Sequence, residues 1–279
     1  PKVLRALAAD VDAWIIRSGT RITKEYVDAA PALRVIGRAG VGVDNIALDV
    51  ATELGVAIIN APAGNTVAVA ELFFGTVIGL LRQLPAAALS MQNGVWDRSK
   101  LMGRELKGKT LGIVGMGRIG QAVAHRGHYG FGMPVIYFNR SKKDAGLPAR
   151  QVATLLDLMA EADIVVVTVP GGGPTTKLID RAAIAAMKPT GIFVNISRGE
   201  VVDEEALIDA LEAGAIAGAG LDVYEKEPHV PERLRALENC TLLPHLGSAT
   251  VETRQAMGQM ALDNIIAWDK GLEPPQRVN

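Results

Sequence analysis

The run Leu111-Gly112-Ile113-Val114, followed at once by Gly115-Met116-Gly117-Arg118-Ile119-Gly120, constrains this chain more than any other feature. It sets G-x-G-x-x-G directly after an apolar strand and at the start of a helix. A strand that turns on glycine into a helix is half of a βαβ unit, and such units build parallel sheets. The three glycines serve a tight turn, a close backbone approach to a pyrophosphate, and helix–strand packing. The helix start offers free N–H groups to that anion. The string alone is a weak signal. With strand, turn and helix in sequence it reads as a dinucleotide site.

The rest of the chain keeps this rhythm. Apolar segments at 13–16, 33–37, 56–59, 110–114, 135–138, 164–169, 192–196, 219–221 and 241–243 read as strands. Helical stretches lie between most of them, including 23–30 capped by Thr23, 46–54 ended by Gly55, and a long one over 66–83. Continuous apolar strands alternating with helices mean a parallel sheet covered on both faces, a doubly wound α/β architecture. With 279 residues, 49% of them hydrophobic and 21% charged, the chain has material for about two domains.

Composition excludes several partners. The 29 cations and 30 anions leave a net charge of -1, with no overall field for nucleic acid or an anionic membrane. The longest apolar stretch, 70–81, ends at Arg82, short of the roughly 20 residues that span a bilayer, and reads as a buried helix. A single cysteine, Cys240, forbids an internal disulfide and a multi-cysteine metal cage, so no metal site is expected. It opens the apolar run Cys240-Thr241-Leu242-Leu243 and reads as buried rather than reactive. A reduced, cytoplasmic protein is the expectation. The sequence starts at Pro1 without Met and shows no signal peptide.

Polar residues cluster just after strands. The strand ending at Phe138 is followed by Asn139-Arg140-Ser141. An NAD site usually has Asp or Glu here for the ribose 2′-OH. Neutral Asn139 removes the repulsion of a 2′-phosphate, and Arg140 suits that phosphate. NADP is therefore preferred over NAD. Further on come Asn195-Ile196-Ser197-Arg198-Gly199, then Asp222 to Pro228, then Pro244-His245-Leu246-Gly247-Ser248. Ligands of open α/β sheets bind beyond the carboxyl ends of strands, where all of these fall. They suit hydride transfer to a carbonyl. His245 is placed to protonate the forming alkoxide, and a nearby carboxylate keeps it charged. Arg198 suits a substrate carboxylate or the developing oxyanion. Glu225 and Glu227 compete for the carboxylate role, and spacing does not separate them. His125 and His128, by the glycine-loop helix, and His229, in a loop, read as structural or surface residues.

The glycine loop Gly115-Met116-Gly117-Arg118-Ile119-Gly120 and the three motifs at 195–199, 222–228 and 244–248, in this order and across nearly the whole chain, resemble the signatures of the D-isomer-specific 2-hydroxyacid dehydrogenases. The resemblance implies a catalytic Arg198, Glu227 and His245, the Glu being the one directly before Pro. It implies that Asp222 binds the nicotinamide carboxamide. It places the cofactor along Val41, Gly115, Gly117, Arg118, Ile119, Gly120, Asn139, Arg140, Ser141, Val169, Pro170, Ile196, Ser197, Asp222, Gly247 and Ser248. It gives the substrate to backbone N–H groups of the turn Gly40-Val41-Gly42, with Arg198 and His245. It implies two doubly wound parallel-sheet domains, a Rossmann cofactor domain inserted in a flavodoxin-like substrate domain. Their expected bounds are 1–61, 62–248, and a tail 249–279 that returns to the first. The family usually begins with a further β-α-β piece ahead of the strand at Ala13, so the substrate domain is expected to lack its N-terminal piece.

Two subfamilies compete. The front half is similar to D-3-phosphoglycerate dehydrogenase, through Arg17-Ser18, the stretch from Gly37 to Asn45, Asn60-Ala61-Pro62 with Asn65, and Val69-Ala70-Glu71. The back half looks more like glyoxylate/hydroxypyruvate reductases, through Phe138-Asn139-Arg140-Ser141, Pro170-Gly171-Gly172-Gly173, the stretch from His245 to Arg254, and the ending Pro274-Pro275-Gln276-Arg277-Val278. The acid usual in phosphoglycerate dehydrogenases is absent at Asn139. A phosphorylated substrate needs extra cations, for which Arg17 and Arg38 are the candidates. The expectation is an NADP-preferring glyoxylate/hydroxypyruvate reductase, a homodimer acting on a small 2-oxo acid. D-3-phosphoglycerate dehydrogenase is the alternative. A nucleotide-sensing binding protein without turnover is the alternative of another class.

Overall fold

The structure, a computed structural model that describes residues 8–279, places its strands in two parallel sheets. In chain order the elements are β1 (Ala13–Ile16), α1 (Lys24–Asp28), β2 (Val35–Arg38), α2 (Leu48–Glu53), β3 (Ala57–Ile59), α3 (Thr66–Leu81) and α4 (Leu84–Gln92). Next come β4 (Leu111–Val114), α5 (Arg118–His125), β5 (Val135–Phe138), β6 (Ala149–Gln151), α6 (Leu155–Glu161), β7 (Ile164–Val167) and α7 (Arg181–Ala185). The chain closes with β8 (Ile192–Asn195), α8 (Glu204–Glu212), β9 (Gly218–Leu221), α9 (Glu232–Arg235), β10 (Cys240–Leu242) and α10 (Val251–Asp269). Two units result. Unit one runs up to Ala68 and resumes over Ser248–Asn279, and unit two is Val69–Gly247.

Unit one holds the sheet β1-β2-β3, parallel throughout. Successive strand residues point to opposite faces. Ile16, Ile36 and Ile58 therefore share one face with Val27 of α1 and Ala51 of α2. Val35, Ala57 and Ile59 share the other with Ile265 and Trp268 of α10. The returning tail thus supplies the second covering layer.

Unit two holds seven parallel strands in the order β10-β9-β8-β7-β4-β5-β6. The strand order reverses beside β4, whose neighbours are β5 and β7. That switch point is where open α/β sheets bind ligands. Alternation again divides the core. Val165, Val167 and Phe193 pack with Leu158, Ile184 and Leu207 of α6, α7 and α8. Ile113, Val166 and Val194 pack with Phe73 of α3 and Val123 of α5.

Some elements differ from the sequence reading. The helix expected over 66–83 stops at Leu81, Gln83 adopts φ 51°, and α4 starts with Pro85 in its first turn. Proline has no N–H for the Leu81 carbonyl, which accepts instead from Arg104 N–H at 2.9 Å. The Thr23 side chain makes no capping bond. The 46–54 helix begins only at Leu48, because Ile46 is taken by a bridge to Ile22. Strand β6, with Arg150 at its centre, carried no apolar signal. The last strand is Cys240–Leu242, one residue earlier than read.

Candidate active site

The carboxyl ends of β8, β9 and β10 carry the polar residues. At the end of β8, Asn195 is buried and folds the turn that follows. Its Oδ1 accepts from Ser197 N–H at 3.0 Å and Ser197 Oγ–H at 2.8 Å, and its Nδ2 donates to the Arg198 carbonyl at 2.9 Å. An asparagine that bonds the backbone two residues on makes such a turn locally. The turn aims Arg198, whose Nη1 donates to the Ser197 carbonyl at 2.8 Å. Gly199 follows because no side chain fits there. A Cβ would lie 1.9 Å from the Tyr224 carbonyl carbon and 2.3 Å from Glu225 N. The Arg198 segment and the Tyr224–Glu225 segment therefore touch backbone to backbone.

Beyond β9 and β10 the histidine loop is pinned from below. Asp222 is buried, and its oxygens accept from Leu246 N–H at 2.6 Å and Gly247 N–H at 2.8 Å. Burial pushes its carboxyl up from the usual range, and the two N–H bonds act against that. The Tyr224 hydroxyl donates to the Leu243 carbonyl at 2.9 Å, tying the end of β10 to the same loop. Held so, His245 sits in the left-handed region at φ 55°, a conformation that costs free energy and is kept by the surrounding bonds.

His245 Nδ1 lies 2.7 Å from Glu227 Oε2, and Glu227 Oε1 accepts from Tyr224 N–H at 3.2 Å. Burial pushes the Glu227 carboxyl up, but the bond from His245 and the charges of His245 and Arg198 outweigh it, so the group is held below its ordinary value. The same bond raises His245 above its ordinary value, against burial and against the positive charge of Arg198. An ionised carboxylate only accepts, so Nδ1 carries a proton and Nε2 is the nitrogen left for chemistry. Arg198, Glu227 and His245 thus form one electrostatic group. Glu225 stands outside it; its N–H donates to Glu204 Oε2 at 3.1 Å. The sequence reading assigned no part to Asn195, Tyr224 or Glu204. The polar residue at a strand end followed by Ser two positions on was the signal for Asn195.

The glycine loop lies at the end of β4. Gly115 has φ 99°, a region that favours glycine, and a Cβ there would meet Val169 at 2.7 Å. Thr168 Oγ–H donates to the Gly115 carbonyl at 2.5 Å and fixes the Val169-Pro170 segment beside the loop. Nothing lies within 4 Å of a Cβ built on Gly117. The N–H groups of Gly117, Arg118 and Ile119 have no acceptor among the described residues. An open glycine backbone with free N–H groups at the start of α5 fits a pyrophosphate. Asn139 couples this loop to the next. Its Oδ1 accepts from Met116 N–H at 3.3 Å and its Nδ2 donates to the Ser141 carbonyl at 2.8 Å. Buried Tyr137 carries Lys143 on its hydroxyl, with the Lys143 N–H donating to it at 3.1 Å. Arg140, Ser141, Lys142 and Lys143 are left exposed. Ile196 and Ser197 are buried beneath the Arg198 turn.

Gly40, Val41, Gly42 and Ser248 lie in unit one. Of the cations considered for a phosphate, Arg17 is exposed. Arg38 is buried and donates from Nη1 to the Ala39 carbonyl at 3.0 Å. Cys240 is half-buried rather than buried as expected, and loss of solvation pushes its thiol up to about 12. No group of three or more His, Cys, Asp or Glu suited to a metal occurs among the described residues. No single described helix is long and apolar enough to cross a membrane.

Comparison with known proteins gives the family. Residues 74–247 match the family model for the D-isomer specific 2-hydroxyacid dehydrogenase, NAD binding domain. The chain is 42% identical to a glyoxylate reductase of Thermococcus kodakarensis, over 100% of this chain and 86% of the relative. It is 40% identical to a D-3-phosphoglycerate dehydrogenase of Methanocaldococcus jannaschii, over 92% of this chain and 49% of the relative. Among solved structures it is similar to an NADPH-dependent glyoxylate/hydroxypyruvate reductase of Sinorhizobium meliloti in complex with NADP and malonate. The TM-score there is 0.89 at 36% identity, over 98% of this chain and 85% of that one. The chain belongs to the D-isomer-specific 2-hydroxyacid dehydrogenases, NAD(P)-dependent oxidoreductases that act on the CH–OH group of hydroxy acids.

Proposed function

We propose that the chain is an NADP-preferring reductase of small 2-oxo acids, glyoxylate or hydroxypyruvate, yielding the D-2-hydroxy acid. The observation that carries this reading is the His245–Glu227 pair at 2.7 Å within reach of the Arg198 charge. It supplies a proton donor and an anion partner at one strand-end site. The bound nicotinamide supplies the hydride. Gly115, Gly117, Arg118, Ile119 and Gly120 hold the pyrophosphate, and Arg140 with Ser141 holds the 2′-phosphate. Arg198 attracts the oxo acid and offsets the negative charge that forms on its oxygen. His245 gives that oxygen the proton from Nε2 while Glu227 stabilises the imidazolium through Nδ1. Asp222 keeps the His245 loop in place, with Gly247 at its foot, and the turn at Gly40, Val41 and Gly42 receives the substrate carboxylate.

The test mixes the protein with NADPH or NADH and glyoxylate, hydroxypyruvate or phosphohydroxypyruvate, and follows cofactor absorbance. NADPH consumption with the first two is expected. Turnover confined to phosphohydroxypyruvate favours the phosphoglycerate reading, and nucleotide binding without turnover favours a sensor. His245→Ala is expected to lose roughly 10²–10⁴-fold in kcat.

The protein works as a homodimer in this reading. Helix α4 has no buried residue, and it and the loop after it expose Leu84, Leu89, Met91, Val95, Trp96 (78%) and Met102 (81%). That is on the order of 700 Å² of apolar surface, near the ~800 Å² each partner brings to a stable interface. Residues 84–96 carry no charge, which suits a second copy of the same face.

A further inference from the structure

The turn that follows β2 is held through the Ala39 and Gly40 N–H groups, which donate to the Ile16 and Arg38 carbonyls at 2.9 and 2.8 Å, and through three of its carbonyls. The Ala39 carbonyl accepts from Arg38 Nη1 at 3.0 Å, and the Val41 carbonyl accepts from Asn60 Nδ2 at 2.7 Å. Between them, the Gly40 carbonyl accepts from Ala61 N–H at 2.8 Å. The N–H groups of Val41 and Gly42 have no acceptor among the described residues. In a planar trans peptide the N–H points opposite to the carbonyl before it. Gly40 and Val41 have their carbonyls drawn toward neighbouring residues at the end of β3. The N–H groups of Val41 and Gly42 are therefore turned away from β3.

We propose that Asn60, backed by Arg38, is a positioning residue that fixes these two N–H donors for the substrate carboxylate. The proposal rests on the 2-oxo acid reading. Two adjacent N–H groups on one side of a turn make a concave receptor for an anion, and prior orientation removes an ordering cost from binding. Asn60 is itself anchored, its N–H donating to the Gln276 carbonyl at 3.2 Å. Arg38 passes directly beneath the turn, since a Cβ on Gly40 would lie 1.4 Å from Nη1. Its Nε donates to Asn45 Oδ1 at 3.4 Å. Asn45 in turn donates to the Arg17 carbonyl at 3.1 Å and the Thr20 carbonyl at 2.6 Å, so the loop after β1 shares the bracket. Arg38 thus braces the turn's backbone.

Asn60→Asp tests this with almost no change of shape. It removes the N–H donor and sets a carboxylate against the Val41 carbonyl, so the peptide loses its orientation. Asn60→Ala removes the donor without adding charge. In both, KM for glyoxylate is expected to rise about tenfold, the usual worth of one hydrogen bond lost from a binding geometry. kcat and the NADPH dissociation constant stay within about twofold, because among the described residues Asn60 bonds to the Val41 and Gln276 carbonyls and not to Arg198, Glu227 or His245. An unchanged KM overturns the proposal. So does an equal loss of kcat and NADPH affinity, which marks Asn60 as support for the fold only. If the wild-type chain turns over no 2-oxo acid, it is the functional reading that fails. Calorimetric binding of oxamate in the presence of NADPH then decides on Asn60 by itself, with equal affinity in wild type and Asn60→Asp overturning it.

Discussion

Replacing Gly199 by Ala is the sharpest single perturbation of the proposed chemistry. The new methyl carbon would sit 1.9 Å from the Tyr224 carbonyl carbon, 2.0 Å from its oxygen and 2.3 Å from Glu225 N. All three are backbone atoms, so no side chain can swing aside. Ordinary contact needs about 3.5 Å between carbons, so the two segments must part by about 1.5 Å. One segment carries Arg198. The other carries Glu227, whose Oε1 holds Tyr224 N–H at 3.2 Å. Parting them moves the guanidinium away from the His245–Glu227 pair. A misplacement of about 1 Å in a site costs on the order of 100-fold, so kcat for the 2-oxo acid should fall at least that far. Forcing a methyl into a filled space also costs about 1–3 kcal/mol of stability, seen as a lower Tm. Steady-state kinetics give the first quantity and thermal unfolding the second. NADPH affinity, read by fluorescence, is expected to hold, since the glycine loop is on another strand end. A kcat within threefold of wild type with an unchanged Tm would refute the coupling of these segments.

Other outcomes are expected. In Glu227→Gln the imidazolium loses the partner that raises its pKa. Reduction needs protonated His245 and declines as pH rises through that pKa, so the basic limb should move to lower pH; an unmoved limb would count against the pair. Asn139→Asp keeps an acceptor for Met116 N–H but adds a carboxylate next to Arg140, so the ratio of NADPH to NADH efficiency should fall; an unchanged ratio refutes the 2′-phosphate reading. Trp96→Asp places a charge in the apolar face of the α4 region and should give monomers in light scattering, whereas an unchanged mass would move the interface elsewhere. With its thiol pushed up to about 12, half-buried Cys240 should react slowly with a disulfide reagent in the native protein at neutral pH, and labelling as fast as in the unfolded chain would contradict the raised pKa.

The sequence alone determined most of the element order, all but β6 and the break between α3 and α4, and the parallel architecture. Both follow from local signals: apolar runs such as Val165-Val166-Val167, and glycines where the backbone must turn, as at Gly115. The polar residues after β8, β9 and β10 were legible for the same reason, because a strand's end predicts which side of the sheet its next residues occupy. What stayed illegible depended on residues far apart in the chain. Glu225 and Glu227 were equal by spacing; the resemblance alone chose Glu227, and the path of the loop is what brings it to His245, 18 residues on. Asp222 read as a ligand for the nicotinamide, yet its oxygens also hold Leu246 and Gly247. Arg38 read as a candidate cation for a phosphorylated substrate, yet it is buried under Gly40. Strand β6 exists because β5 offers it an edge, not because Ala149-Arg150-Gln151 favours a strand. Local preference selects φ and ψ one residue at a time. Which donor meets which acceptor is set by the sum of those angles over many residues, and by the pairing of strands within each sheet.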